Sequence, residues 1–203
     1  MRACAALRRR VFLVEQSDLI NSIYIDVYDG VYAPREDSYL LASVVEKHAK
    51  GNVLDLGTGS GILGIVAAKT GCDVTFADIN PIALECAKHN AKINNINGIF
   101  ILTDMFSNIK NKYDTIIFNP PYLDNNVDAT SSIDIALDGG VLGRKYIDIL
   151  LGNFKSHVNK KYDILFIESS INKYEMDIRN YNATIMALEK AFFEEIVVLR
   201  IGD

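Results

Sequence analysis

Cysteine, glycine, proline and positive charge are all scarce in this chain, and each shortage removes a class of protein. The three cysteines, Cys4, Cys72 and Cys86, are odd in number, widely spaced and never in a CxxC pair. That excludes a disulfide framework and a thiolate zinc site. His48, His89 and His157 stand alone as well, so no structural metal is expected, and a reducing, cytoplasmic setting follows. Thirteen glycines and four prolines among 203 residues, with 49% hydrophobic and 23% charged, exclude a disordered, collagen-like or linker-dominated chain. No long apolar run exists near the start: residues 11–14 fall far short of the roughly 18 that suggest a membrane span. No small-residue cleavage site follows them, so neither a signal peptide nor a membrane anchor is expected. Lys and Arg number 21 against 26 Asp and Glu, a net charge of −5. Without an overall positive field to condense onto phosphates, no stable nucleic-acid binding is expected. The imbalance is uneven, because Arg2, Arg8, Arg9 and Arg10 give the first ten residues +4 and leave −9 for the rest.

What is present is alternation. Residues 52–56 form a short apolar run that ends in a glycine-rich turn, and residues 62–69 carry apolar side chains at helical spacing. Residues 74–77 repeat the strand, and Asn80-Pro81 supplies an N-cap with proline at the first helical position. The helix that follows runs through Leu84, Ala87 and Ala91. Strands are predicted over 99–103, over 113–118 as a nearly continuous apolar run buried on both faces, and over 162–168. Helices are predicted over 143–154 and 171–181, and residues 183–187 and 195–201 read as a closing hairpin. Ahead of the first strand, Pro34, Glu36 and Asp37 mark a helix start, with Leu40, Leu41, Val44 and Val45 as its buried stripe. This order is that of an α/β domain with a mostly parallel sheet wound on both faces, whose ligand lies at the carboxyl ends of the strands.

Chemistry concentrates at those ends. Asp55-Leu-Gly57-Thr58-Gly59-Ser-Gly61-Ile-Leu-Gly64 sits at the first strand-to-helix turn, where glycine lets backbone approach a ligand closely. Gly59, Gly61 and Gly64 formally satisfy the GxGxxG dinucleotide fingerprint. Asp55 opposes that reading, since its carboxylate would repel a pyrophosphate and suits a ligand with a cationic amino group. Asp78 ends the next strand, 23 residues on, near the roughly 20-residue spacing at which an acid meets ribose hydroxyls; its structural alternative is a second cap for the Pro81 helix. Asp104 follows the third strand in the same way. The most specific signal is Phe118-Asn119-Pro120-Pro121-Tyr122 after the fourth strand. Two prolines remove backbone donors and stiffen the chain, so a planar NH2 group can donate one hydrogen to the Asn119 side-chain oxygen and one to the Pro120 carbonyl. An amide nitrogen is a poor nucleophile, so positioning and polarisation must do most of the work. Tyr122 would pack against the target plane. The structural alternative is a rigid turn without catalysis.

Asp-x-Gly-x-Gly resembles the first motif of Rossmann-like S-adenosylmethionine-dependent methyltransferases, and Asn-Pro-Pro-Tyr that of amino-methyltransferases acting on amides or exocyclic amines. Together with Tyr32-x-Pro34-x-Glu36-Asp37-Ser38, Asp78-Ile79-Asn-Pro and Gly139-Gly-x-x-Gly143-Arg144, they resemble the HemK-like glutamine N5-methyltransferases. The likeness is greatest to the short archaeal and eukaryotic branch, which lacks the N-terminal helical domain of bacterial members. It covers residues 27–203 as one methyltransferase domain and leaves 1–26 as a basic extension of uncertain structure.

The resemblance implies a Rossmann-like seven-stranded sheet, mostly parallel with one antiparallel strand and helices on both faces. It implies S-adenosyl-L-methionine as cofactor, held by Ser38, Asp55, Gly57, Thr58, Gly59, Gly61, Asp78, Ile79, Asp104, Met105 and Asn119. Asp104 is placed at the adenine amine, and Asn119, Pro120, Pro121 and Tyr122 at the methyl acceptor. Asp55 stands where relatives often carry Glu. The implied substrate is the glutamine of the Gly-Gly-Gln loop of a class I translation release factor. The usual strand order puts 99–103 at an open edge with no charge or proline to blunt it, where a small zinc-binding activator subunit could add a strand. Two other readings compete: an N-methyltransferase of exocyclic amines of adenine or guanine in RNA or DNA, and an idle partner that binds the cofactor only to fold. Intact Asn119 and Tyr122 oppose the second.

Overall fold

The computed structural model describes residues 17–121, 141–191 and 194–202. Arg2, Cys4, Arg8, Arg9, Arg10, the apolar run 11–14, Tyr122, Gly139 and Gly140 lie outside them. Seven strands, β1 (Asn52–Leu56), β2 (Asp73–Asp78), β3 (Ile99–Leu102), β4 (Tyr113–Phe118), β5 (Val158–Ser169), β6 (Thr184–Ala191) and β7 (Glu194–Gly202), form one sheet in the order β3-β2-β1-β4-β5-β7-β6. Only β7 runs antiparallel to its neighbours. The expected sheet class is therefore the observed one, with the reversal of strand order between β1 and β4 opening a crevice at their carboxyl ends.

Alternation along each strand divides the core into two layers. Val53, Ile117, Leu165 and Val198 face α2 (Glu36–His48), α3 (Ile62–Lys69) and α4 (Pro81–Ile93). Leu54, Ile116, Phe118, Ile164 and Phe166 face α5 (Lys145–Asn153), with Tyr181 of α6 (Glu175–Tyr181) packed on the same layer. Both faces of β1, β4 and β5 are covered, which is why residues 53–54, 116–118 and 164–167 are apolar at consecutive positions.

Several elements depart from the expectation for identifiable reasons. In α2 the buried stripe is Leu41, Ala42, Val44 and Val45, and Leu40 is only half-buried, because the helix turns Ala42 against the sheet. The predicted helix 171–181 is a 3-10 turn at Ser170–Asn172 followed by α6, broken where Lys173 adopts a left-handed φ of 61°. Strand β5 starts earlier than residue 162, at Val158. Between the pairs Tyr113↔Val158 and Thr115↔Asp163, β4 advances two residues and β5 five, so the first part of β5 bulges outward.

Residues 17–26 are fastened to the domain. Ser17 caps the short α1 (Asp18–Asn21), Ile20 is buried in the core, and two asparagines of α4 act as substitute backbone for the extended segment behind it. Asn94 accepts from the Tyr24 N–H and donates to the Tyr24 carbonyl at 3.0 and 2.7 Å, and Asn90 does the same for Asp26 at 2.9 and 2.8 Å.

Candidate active site

The site is built by the ends of β1, β2, β3 and β4 with the first turn of α2. β1 delivers Asp55 into full burial, where its Oδ2 accepts from the Thr58 hydroxyl at 2.5 Å and the Gly64 N–H at 2.9 Å. Its Oδ1 is buried without a partner. Burial pushes the carboxyl up to about 7, against the pull of those two donors, and the charge of Asp78 adds to the rise. Gly57 and Gly61 have φ of 63° and 85°, and a Cβ on them would come within 3.3 Å of the Phe118 ring and 3.1 Å of the Ala87 Cα respectively. Only glycine satisfies both limits. At Gly59 a Cβ would meet nothing within 4 Å, so the turn leaves open room on its outer side.

Asp78 joins this turn to the next helix. Its Oδ2 accepts from the Gly59 N–H at 2.9 Å and its Oδ1 from the Asn80 N–H at 2.8 Å, and burial raises its pKa from the ordinary carboxylate range. Both the bracing role and the sequence position for a ribose acid thus fall on one side chain. Asn80 is the N-cap of α4, accepting from the Ile82 N–H at 2.9 Å. Ile79 beside it is exposed. The Thr103 N–H donates to the Asp78 carbonyl at 2.8 Å, which carries exposed Asp104 and half-buried Met105, the latter at a left-handed φ of 45°, to the same rim.

β4 brings Asn119 beside the glycine turn, since Leu56 pairs with Phe118. Its Nδ2 donates to Asp37 Oδ2 at 3.2 Å and Ser38 Oγ at 3.3 Å, and its Oδ1 is buried with no partner. Pro120 is buried and Pro121 half-buried. Asp37 is itself gripped, by the Tyr32 hydroxyl at 3.2 Å to each oxygen and by the Ser38 N–H at 2.6 Å. Buried beside this carboxylate, the Tyr32 hydroxyl is pushed far above its usual pKa and stays a donor. The structure thus brings together Ser38, Asp55, Gly57, Thr58, Gly59, Gly61, Asp78, Ile79, Asp104, Met105, Asn119, Pro120 and Pro121 at one end of the sheet.

Two groups here were given no site role from sequence. Asp37 was read as a helix-start acid, yet the N-cap of α2 is Arg35 without a side-chain cap bond, and the Asp37 carboxylate is turned toward Asn119. Glu168, at the end of β5 in the register beyond Phe118↔Phe166, is fully buried with both oxygens lacking a hydrogen bond, and burial followed by the adjacent Asp177 raises its pKa strongly. Arg144 stands nearby, 3.5 Å from Glu168 Oε2, and donates to Asp177 Oδ2 and the Asn172 carbonyl at 2.8 and 2.7 Å. A charge ending the run Ile-Leu-Phe-Ile-Glu168 was the available signal.

A doubly wound sheet with a carboxylate under a glycine turn, acids ending the second strand and following the third, and a polar Asn-Pro-Pro turn after the fourth defines the class of S-adenosylmethionine-dependent methyltransferases. The chain belongs to the methyltransferase small-domain family, whose model it matches over residues 28–137. It is 35% identical over 188 residues to a Methanocaldococcus jannaschii protein named "Putative protein N5-glutamine methyltransferase", covering 89% of this chain and 95% of that one. It is 30% identical to ribosomal RNA small subunit methyltransferase C of Haemophilus influenzae over 82% of this chain, and 33% identical to the release factor glutamine methyltransferase of Streptococcus pneumoniae over 64%. The chain spans 48% of the length of each of these two relatives. A T. thermophilus 16S rRNA methyltransferase solved with AdoMet and guanosine superposes with a TM-score of 0.66 at 16% identity, covering 89% of this chain and 47% of that one.

Proposed function

We propose that this methyltransferase acts on the side-chain amide of the Gly-Gly-Gln glutamine of a class I translation release factor. The observation that carries the reading is the buried, partnerless Oδ1 of Asn119, whose amide is fixed the other way round by Asp37 and Ser38. Such an acceptor takes one hydrogen of a planar NH2 group, the Pro120 carbonyl takes the other, and Pro121 offers no competing N–H. Both bonds draw density toward the nitrogen and fix its orientation, and the proton it sheds leaves to water.

The residues present fit the cofactor. The unpaired Asp55 oxygen favours a cationic amino group at the glycine turn formed by Gly57, Thr58, Gly59 and Gly61, the open room at Gly59 admits its methionine end, and Asp78 offers further lone pairs to ribose hydroxyls. Ile79, Met105 and Asp104 would frame the adenine, with Ser38 and Asn119 at the methyl end. S-adenosylmethionine supplies an electrophilic methyl group. Similarity along nearly the whole of the M. jannaschii relative supports glutamine as the acceptor. Similarity to ribosomal RNA methyltransferases at 30% identity supports a second reading, an exocyclic base amine held by the same pair of acceptors.

The partner part of this reading concerns β3, which among the described residues pairs only with β2 and exposes Ile99 and Leu102 by 57% and 51%. A small zinc-binding subunit adding a strand there would bury that edge. Transfer of labelled methyl groups to release factor, its Gln→Ala variant, tRNA, ribosomal RNA and DNA tests the substrate. Label in the release factor that is lost in the Gln→Ala variant is expected, and label in RNA or DNA alone would overturn the main reading in favour of the second.

A further inference from the structure

Parallel strands that deliver their carboxyl ends to the site gather their amino ends at the opposite edge of the sheet. The charge there is unlike the rest of the chain. The β3–β4 connection brings Lys110 and Lys112, the turn before β5 brings Lys155, and the bulge of β5 brings Lys160 and Lys161, all exposed. The Tyr113 N–H donates to the His157 carbonyl at 2.9 Å, which fixes the two connections side by side. None of these five lysines enters an ion pair among the described residues. Of the carboxylates at this edge, Asp163 lies buried between Lys50 and Arg200, Asp114 accepts from the Asn52 N–H and the Asn159 amide at 2.9 and 2.8 Å, and exposed Asp73 opens β2, two strands away from β4. Chemistry at the far end of the sheet uses none of these lysines.

We propose that this edge binds a phosphodiester backbone. Lysine ammonium groups on flexible stems suit phosphate oxygens and release counterions on contact. A protein partner would need an apolar or aromatic centre to desolvate, and the connections that carry these lysines present no exposed large apolar side chain among the described residues; the nearest element start, Ile99, opens β3 at the edge of the sheet. The surface reads charge and not base sequence, so it would dock the enzyme on structured RNA or DNA with the catalytic end turned away. The whole-chain charge of −5 conceals it, because 26 acidic residues outnumber 21 basic ones over the chain as a whole.

The test is fluorescence anisotropy of the full chain with a labelled 20-base-pair RNA duplex, the same sequence as DNA, and poly-glutamate as competitor. With up to five phosphates neutralised, log affinity should fall linearly with log salt at a slope of about −4, a loss of roughly 100- to 1,000-fold between 50 and 200 mM. Lys155→Glu, Lys160→Glu and Lys161→Glu together should weaken binding at least tenfold and flatten the slope by about 3. Lys110→Glu with Lys112→Glu, on the other connection, should act in the same direction. Cofactor affinity and melting temperature should be unchanged in both variants. Tighter binding of RNA than DNA identifies RNA as the source, and equal binding identifies any duplex backbone. Unchanged affinity and slope in the variants, or displacement of the duplex by poly-glutamate at equal charge concentration, would overturn the proposal.

Discussion

Asp55 offers the sharpest test of how the cofactor is held. Its carboxyl is buried with one free oxygen and a pKa near 7. A group whose folded pKa exceeds its unfolded value of 3.8 keeps its proton in the folded protein after the unfolded chain has lost it. Between pH 4 and 7 the folded state therefore binds more protons, and stability of the cofactor-free protein falls as pH rises through that window, by up to roughly 4 kcal/mol. A cation at the glycine turn reverses the preference by favouring the ionised form. Binding of S-adenosylmethionine at pH 6 should then expel close to one proton, and affinity should be about tenfold weaker at pH 6 than at pH 8. Titration calorimetry in two buffers of different ionisation enthalpy reads the proton directly. Asp55→Asn keeps an acceptor for Thr58 and Gly64 but presents an NH2 where the free oxygen stood. It should flatten the stability profile, release no proton and lose at least about tenfold in affinity, since hydrogen bonds to charged groups contribute roughly 1.5–3 kcal/mol. Affinity that is constant from pH 5.5 to 7.5, with no proton released, would refute the reasoning.

Asn119→Ala should fold with an unchanged melting temperature and lose about 10²–10³ in kcat for the amide substrate; a variant at the parental rate would remove Asn119 from the chemistry. Asp37→Asn sets a donor against the Asn119 NH2 and should cost about 10- to 100-fold in kcat, with Asn119→Ala added on top costing little more, which a double-mutant cycle in methyl transfer would measure. Leu102→Pro, which removes an N–H from the open edge of β3, since the Thr103 N–H one residue on is turned to β2, and Ile99→Lys, which charges its exposed row, should each abolish co-purification with a strand-adding partner. Retained association in both would place that partner elsewhere.

The sheet was legible because burial on both faces leaves apolar residues at consecutive positions in strands such as 113–118 and 162–168, and because Asn80-Pro81 and the glycine turn mark helix starts with local chemistry. Asp55, Asp78 and Asn119 were legible for the same reason, each standing at the end of a strand. Asp37 was not, since its role depends on a contact 82 residues away, and near a helix start an acid has an ordinary explanation. The break at Lys173 gave no sign either: a left-handed φ usually announces itself as glycine or asparagine, and lysine occupies this one. Residues 17–26 escaped because what orders them is written in α4, in the side chains of Asn90 and Asn94.

The tie between Asn119 and the first turn of α2 makes the functional unit larger than the nucleotide-binding fold that contains it. The strand-helix repeat begins at β1, although α2 ahead of it covers one face of the sheet. Yet the groups that decide which way the Asn119 amide faces, Asp37 and Ser38, and the Tyr32 hydroxyl that steadies Asp37, precede the first strand and belong to no strand-helix repeat. A graft that transplanted β1 to β7 into another scaffold would carry the Asn-Pro-Pro turn intact and still leave its amide free to rotate, with donor and acceptor exchanged as often as not.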